Sequence, residues 1–220
     1  MNDLKNYREN EIKWYVIAYL LLIVVVCYPN TMQDADIDWI VKCEAIITST
    51  LLSGVVCALA FVFDSVFSSR TKDALLYLGF TKVPGSTIFS RICDKTISDT
   101  RINVFDAQIR YKEVIENMPS LKERQEYENA KWYAIYSRYQ ADARVMSVHR
   151  DFLLCRDLYI TTVSLTLLTL FMASVALLPF SHILIGYLLI MLVVTNLSAR
   201  NKANRFVNTV IAVDLSSVQK

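Results

Sequence analysis

The sequence predicts an all-α integral membrane protein, with four transmembrane helices forming two hairpins that flank a helical cytoplasmic domain. The first observation behind this is distribution. Of 220 residues 54% are hydrophobic, and these gather into four blocks without charge, while the segments between carry nearly all of the 23 basic and 21 acidic residues. Each block approaches the ~20 residues that a helix needs to cross ~30 Å of hydrocarbon. The second observation is the asymmetry of Lys and Arg about the block ends, which orients the spans. Together they exclude a disulfide scaffold, a disordered chain, a β-barrel and an ordinary soluble enzyme. The net charge of +2 is too balanced for direct nucleic-acid binding.

Residues 1–13 read as a cytoplasmic N-terminus. The first block, WYVIAYLLLIVVVCYP from Trp14 to about Pro29, reaches bilayer length with Ile12 and a snorkelling Lys13. The acids of its ENEIKW flank, the lack of a small-residue cleavage site and the apolar span soon after it favour an uncleaved anchor over a signal peptide. A periplasmic loop, 30–38, carries Asp34, Asp36 and Asp38 and no base. The second block, Ala45 to Phe63, completes hairpin 1 at residues 14–64. Hairpin 2, residues 158–198, holds the third block from Leu158 to Leu178 and the fourth from about Pro179 to Leu197. Residues 65–157 carry fifteen Lys or Arg against twelve acids, and the basic tail 199–220 adds Arg200, Lys202, Arg205 and Lys220. The positive-inside rule places both termini and the middle domain in the cytoplasm.

Within the middle domain, a short helix after Phe67 is stopped by Gly79, and Val83-Pro84-Gly85-Ser86 forms a turn. Residues 100–118 place Ile102, Phe105, Ile109 and Val114 or Ile115 on one face of an amphipathic helix. Ser120 and Glu123 match a capping box. From Ser120 to Leu178 there is neither Gly nor Pro, which permits a helix running into the third span, with a break near Gln140 to Asp142. In the tail, Phe206, Val210, Ile211 and Val213 or Asp214 share a helical side suited to docking on the middle domain or lying at the membrane surface.

No catalytic constellation is visible, so no enzymatic activity is expected. His149 and Asp151 do not face each other on a helix, and His182, the chain's only other histidine, lies across the bilayer. The Arg-Asp pairs at 150/151 and 156/157 read as ion pairs to neighbouring helices at the membrane surface. The five cysteines, Cys27, Cys43, Cys57, Cys93 and Cys155, are odd in number and form no CxxC or Cys/His cluster, so neither a disulfide framework nor a metal site is expected. No glycine-rich phosphate loop occurs, and no cofactor is implied.

Two sets of residues are candidates for function. Thr162, Thr166, Thr169, Ala173 and Ala176 follow steps of four, three, four and three along the third span. In the second span Ser49 and Ser53 begin a similar line, and Gly54 with Ala58 is a small-xxx-small pair. Such stripes serve hairpin packing, a homo-oligomer seam or a hydroxyl-lined pore. The other set is the aromatic stripe Trp132, Tyr136 and Tyr139, with Arg138, Arg144 and Arg150 nearby. It suits core or subunit packing, or a partner or nucleotide-ligand surface with arginines for phosphate. None of the four spans holds an ionisable residue in its interior, which disfavours a coupled transporter.

The span order and the helical middle domain resemble the small four-span membrane proteins of bacterial antiphage defence operons, in particular the membrane subunit of Kiwa systems, and less closely the four-span pore-forming effectors of cyclic-nucleotide signalling. The resemblance implies an inner-membrane homo-oligomer acting as a non-enzymatic sensor or scaffold, with a co-encoded cytosolic protein as partner. The alternative it implies is a ligand- or partner-triggered pore-forming effector.

Overall fold

A computed structural model describes residues 2–27, 68–77, 83–120, 123–176, 178–179 and 181–218. The second span, with Ser49, Ser53, Gly54 and Ala58, the acidic loop and Gly79 lie outside the described residues. Those described form helices and no strand. In chain order the helices are α1 (Asn2–Cys27), α2 (Ser69–Tyr77), a 3-10 turn (Pro84–Ser86), α3 (Ile88–Cys93), α4 (Val104–Arg110), α5 (Lys112–Glu116), α6 (Arg124–Tyr139), α7 (Ala143–Ser174) and α8 (His182–Val218). Three of them, α1 from Asn10, α7 and α8, are long and apolar enough to cross a membrane. The chain divides into two compact units. One comprises Met1–Lys72 and Leu154–Leu197, the other Asp73–Leu153 and Ser198–Lys220.

In the first unit, α1 buries Val16, Tyr19 and Leu20 against Leu165 of α7, Leu184 and Leu188 of α8, and Leu178 between those two helices. The offsets of three and four on α1, and of four on α8, are those of one helical face. Trp14, Leu21, Phe171, Ile183, Ile190 and Val193 point outward and are exposed, which is the surface that lipid requires and water does not tolerate over such an extent. Helix α7 stops at Ser174, four residues short of the expected end of the third span, and Ala176 takes a left-handed φ of 57°. Ser181 then starts α8, its hydroxyl accepting the Leu184 N–H at 3.4 Å.

The second unit has its own core, in which Ile88, Phe89 and Ile92 of α3, Tyr111, Trp132 and Ile135 of α6, and Val145 of α7 surround Phe206, Val207, Val210, Ile211 and Val213 of α8. The tail thus docks on the middle domain, each of these side chains gaining about 1.5–3 kcal/mol by burial. It is not a separate element: no Gly or Pro follows Gly186, and the last apolar block from His182 and the tail as far as Val218 are one helix of 37 residues. The expected break between α6 and α7 falls at residues 140–142.

Two local expectations fail. Residues 100–118 form α4 and α5 instead of one amphipathic helix, and Phe105 and Ile109 are 68% and 63% exposed. The buried set is Ile102, Ala107 and Tyr111, because α4 and α5 use the face whose tyrosine finds a buried acceptor. The capping box does not form either. Ser120 closes a single turn, its carbonyl accepting from the N–H groups of Glu123 and Arg124 at 3.1 Å each, and α6 begins at Arg124 without a side-chain cap.

Candidate functional site

The hydroxyl stripe of α7 is engaged within the chain. The Thr162 hydroxyl donates to the Leu158 carbonyl at 2.7 Å and the Thr169 hydroxyl to that of Leu165 at 2.6 Å. Each threonine has one proton to give, so the phenols are the donors in the two interhelical bonds, Tyr15 to Thr162 Oγ1 at 2.8 Å and Tyr19 to Thr169 Oγ1. Both pairs ascend in the same direction along the two sequences, which makes α1 and α7 parallel neighbours. Cys27 Sγ, 3.9 Å from the Pro179 carbonyl, continues the series. Thr166 is half-buried and returns its proton to the Thr162 carbonyl at 2.7 Å. Ala173 is half-buried, and Ala176 lies beyond the end of α7 and is exposed, so the regular spacing ends before its last member. The cleft beside Thr169, Ala173, Leu178 and Leu184 has a volume of about 10 Å³, room for one water and no larger ligand.

The aromatic stripe lies in the core of the second unit. Trp132 is 8% exposed, its ring stacked on Tyr136 at 5.7 Å and met edge-on by Phe206 at 5.4 Å. Gly85 packs so closely that a Cβ there would come within 3.1 Å of Trp132 Cε3 and of Asn129 Oδ1. Phe206 also stacks on His149 at 4.7 Å and on Phe152 at 6.1 Å, and Tyr136 O–H and His149 Nδ1 are 3.3 Å apart. Tyr139 is half-buried and bonds the Ser217 hydroxyl at 2.7 Å. The arginines do not join these rings. Arg138 is exposed, Arg144 forks onto Asp142 at 3.1 and 2.9 Å, and Arg150 lies half-buried 4.0 Å from Asp151. Trp132 is thus buried in this core with Tyr136 half-buried against it.

Two buried carboxylates, Glu128 and the Asp214 of the tail's docking side, organise the rest. Glu128 is fully buried in α6, and its Oε2 accepts the N–H groups of Phe89 and Ser90 at 2.9 and 3.0 Å while Oε1 accepts the Ser90 hydroxyl. It supplies to α3 the cap that Thr87 does not. Asp214, 1% exposed, accepts the Tyr111 O–H at 2.7 Å and the Arg110 Nε–H at 3.4 Å. Burial first, and then this carboxylate, push the Tyr111 phenol far above its ordinary pKa. The two aspartates of the Arg-Asp repeats reach neighbouring helices as expected. Asp151 takes Lys202 of α8 at 2.8 Å, and Asp157 takes Lys72 of α2 at 3.7 Å besides Arg156 at 3.4 Å.

No protein-family model, curated protein or solved structure matches the chain. Among the described residues no group of three or more His, Cys, Asp or Glu is placed to hold a metal ion. Tyr15 and Tyr19, one turn apart in a mostly aliphatic block, are the local signal for the bonds to α7. Nothing local marks the partners of Glu128 or Asp214, which lie 38–39 and 103–104 residues away.

Proposed function

We propose that the protein is a non-enzymatic, oligomeric sensor or scaffold of the bacterial inner membrane, in which the helical unit Asp73–Leu153 with Ser198–Lys220 faces the cytoplasm and holds a co-encoded soluble partner in antiphage defence. The observation that carries this reading is that α7 and α8 each contribute residues to both compact units, apolar and lipid-compatible in one and core-forming in the other. A helix of that kind conveys a disturbance of the bilayer to a soluble unit without an intervening loop. The buried carboxylates support a structural role, since Glu128 and Asp214 are engaged in capping and tethering.

Four spans in two hairpins remain the preferred layout. Parallel α1 and α7 need an odd number of return crossings in the chain between them, and 45–63 is the one apolar block of bilayer length available there. The basic residues near the span ends, Arg70, Lys72, Arg150, Arg156 and Arg200, favour cytoplasmic termini. The test is mild-detergent affinity purification from cells carrying the neighbouring genes, followed by native mass spectrometry. A homo-oligomer with a stoichiometric cytosolic companion supports the proposal. A monomer without a companion refutes it. A homo-oligomer alone that conducts ions in liposomes replaces it with the pore-forming effector.

A further inference from the structure

Among the described residues of the second unit, the guanidinium groups of Arg200 and Arg91 have only neutral hydrogen-bond acceptors. Arg200 of α8 donates from Nε and Nη2 to the Leu76 carbonyl at 3.2 and 3.0 Å, near the C-terminal end of α2, and lies 5.7 Å from the centre of the Tyr77 ring. Arg91 of α3 donates from Nη1 to Asn204 Oδ1 and from Nη2 to the Pro84 carbonyl, each at 3.4 Å, while its buried Nε has no hydrogen-bond partner among the described residues. Asn204 is one turn beyond Arg200, so the two guanidinium groups rest against successive turns of α8. Arg101, Arg110, Arg144 and Arg156, by contrast, each have an aspartate within 3.4 Å. The acid closest in influence to Arg91 is Glu128, whose oxygens are engaged by Phe89 and Ser90. Burial lowers the Arg91 pKa from its ordinary value by more than the Glu128 carboxylate restores, the mark of a cation whose removal from water is not fully offset. Long bonds of 3.4 Å to neutral oxygens leave much of its donor capacity unused.

We propose that Arg91 and Arg200, with the Tyr77 phenol beside them, bind one phosphate group, and that the headgroup of an anionic phospholipid supplies it. A guanidinium fork matches the oxygens of a phosphate and gains far more from them than from a carbonyl. The source follows from position. Arg200 stands three residues beyond Leu197 on α8, about 4.5 Å along the axis from the end of the apolar stretch, where headgroup phosphates lie and basic pockets hold them. Only this choice of source rests on the membrane placement proposed above.

The experiment uses the full chain in a neutral detergent and follows its thermal unfolding midpoint against added phosphatidylglycerol, phosphatidylcholine or inorganic phosphate. Phosphatidylglycerol is expected to raise the midpoint where phosphatidylcholine does not. Arg91→Gln is expected to weaken the apparent affinity roughly tenfold, the worth of one charge-assisted hydrogen bond, while Arg144→Gln, on the exposed cation paired with Asp142, keeps it. Equal responses to both lipids with none to inorganic phosphate overturn the proposal, as does equal weakening by Arg91→Gln and Arg144→Gln. A full response to inorganic phosphate alone supports the site and assigns its ligand to the soluble phase, an arm that reports even where the membrane placement fails. If Arg91→Gln does not fold, Arg91→Lys keeps the charge without the fork and is expected to bind several-fold more weakly, and unchanged affinity overturns the proposal.

Discussion

The bond between Tyr19 and Thr169 can be broken from either side at different cost. In Tyr19→Phe the phenol is lost, but the Thr169 hydroxyl still donates to the Leu165 carbonyl, so no buried donor is orphaned. The loss is then that of one interhelical bond in an apolar bundle, about 0.6 kcal/mol and at most about 1.7. Thr169→Val conserves shape but leaves a phenol on a residue 2% exposed, packed with Val16 and Leu20, without an acceptor. That adds the desolvation of a buried O–H group, about 1–3 kcal/mol. The double variant returns to a cost near that of Tyr19→Phe alone, because the orphan is gone, and the cycle should show a coupling equal to the full cost of Thr169→Val, about 1.6–3.6 kcal/mol. The assay is unfolding of the purified chain in mixed micelles of rising dodecyl sulfate fraction, followed by circular dichroism. If Tyr19→Phe costs as much as Thr169→Val, or the cycle closes without coupling, the donor assignment and the docking of α1 on α7 are both wrong.

Other variants test the second unit. Lys95 sits at φ 54° where α3 ends in a Schellman turn, with Thr96 N–H donating to the Arg91 carbonyl at 3.0 Å and Lys95 N–H to that of Ile92 at 3.3 Å, so Lys95→Gly should stabilise by about 1 kcal/mol and raise the unfolding midpoint. Gly85→Ala should destabilise by about 1–2 kcal/mol, since Trp132 is held by Tyr136 and Phe206 and cannot retreat from a new methyl; a raised midpoint would refute this. The Arg101 side chain bonded to Asp99 holds that carboxyl below its ordinary pKa. Its stabilisation is therefore complete above about pH 4 and is lost as the pH falls through the depressed value, and Arg101→Gln should flatten the acid limb of a stability–pH curve.

How far the sequence could be read depended on the range of the interactions. The apolar blocks behind α1, α7 and α8, the break at 140–142 and the docking of Phe206, Val210 and Ile211 follow from periodicity and the distribution of Gly and Pro, which are local. Residues 100–118 defeated the same reasoning because both faces carry apolar side chains. Periodicity groups Phe105 with Ile109 but does not say that Ala107 and Tyr111 face the core. Of the candidate site residues, Thr162, Thr169, Trp132 and Tyr136 stand out in the sequence by their helical spacing, yet what packs against them, α1 in one case and Gly85 and Phe206 in the other, is a tertiary fact. The cap that Glu128 gives to α3, and the approach of Arg91 to α8, join segments 38–113 residues apart, and no window along the chain contains both partners.

The core around Phe206 has a history as well as a structure. Its first wall is made of residues 88–145 and its centre of residues 206–213, and between them the ribosome must produce the whole apolar stretch from Leu154 to Leu197. Trp132, Ile135 and Val145 therefore emerge early and wait uncovered while α7 and α8 are made. A chain halted in that interval presents an open apolar face, as chaperones and proteases recognise. Closure of this core thus records, after the fact, that the intervening segment was delivered correctly.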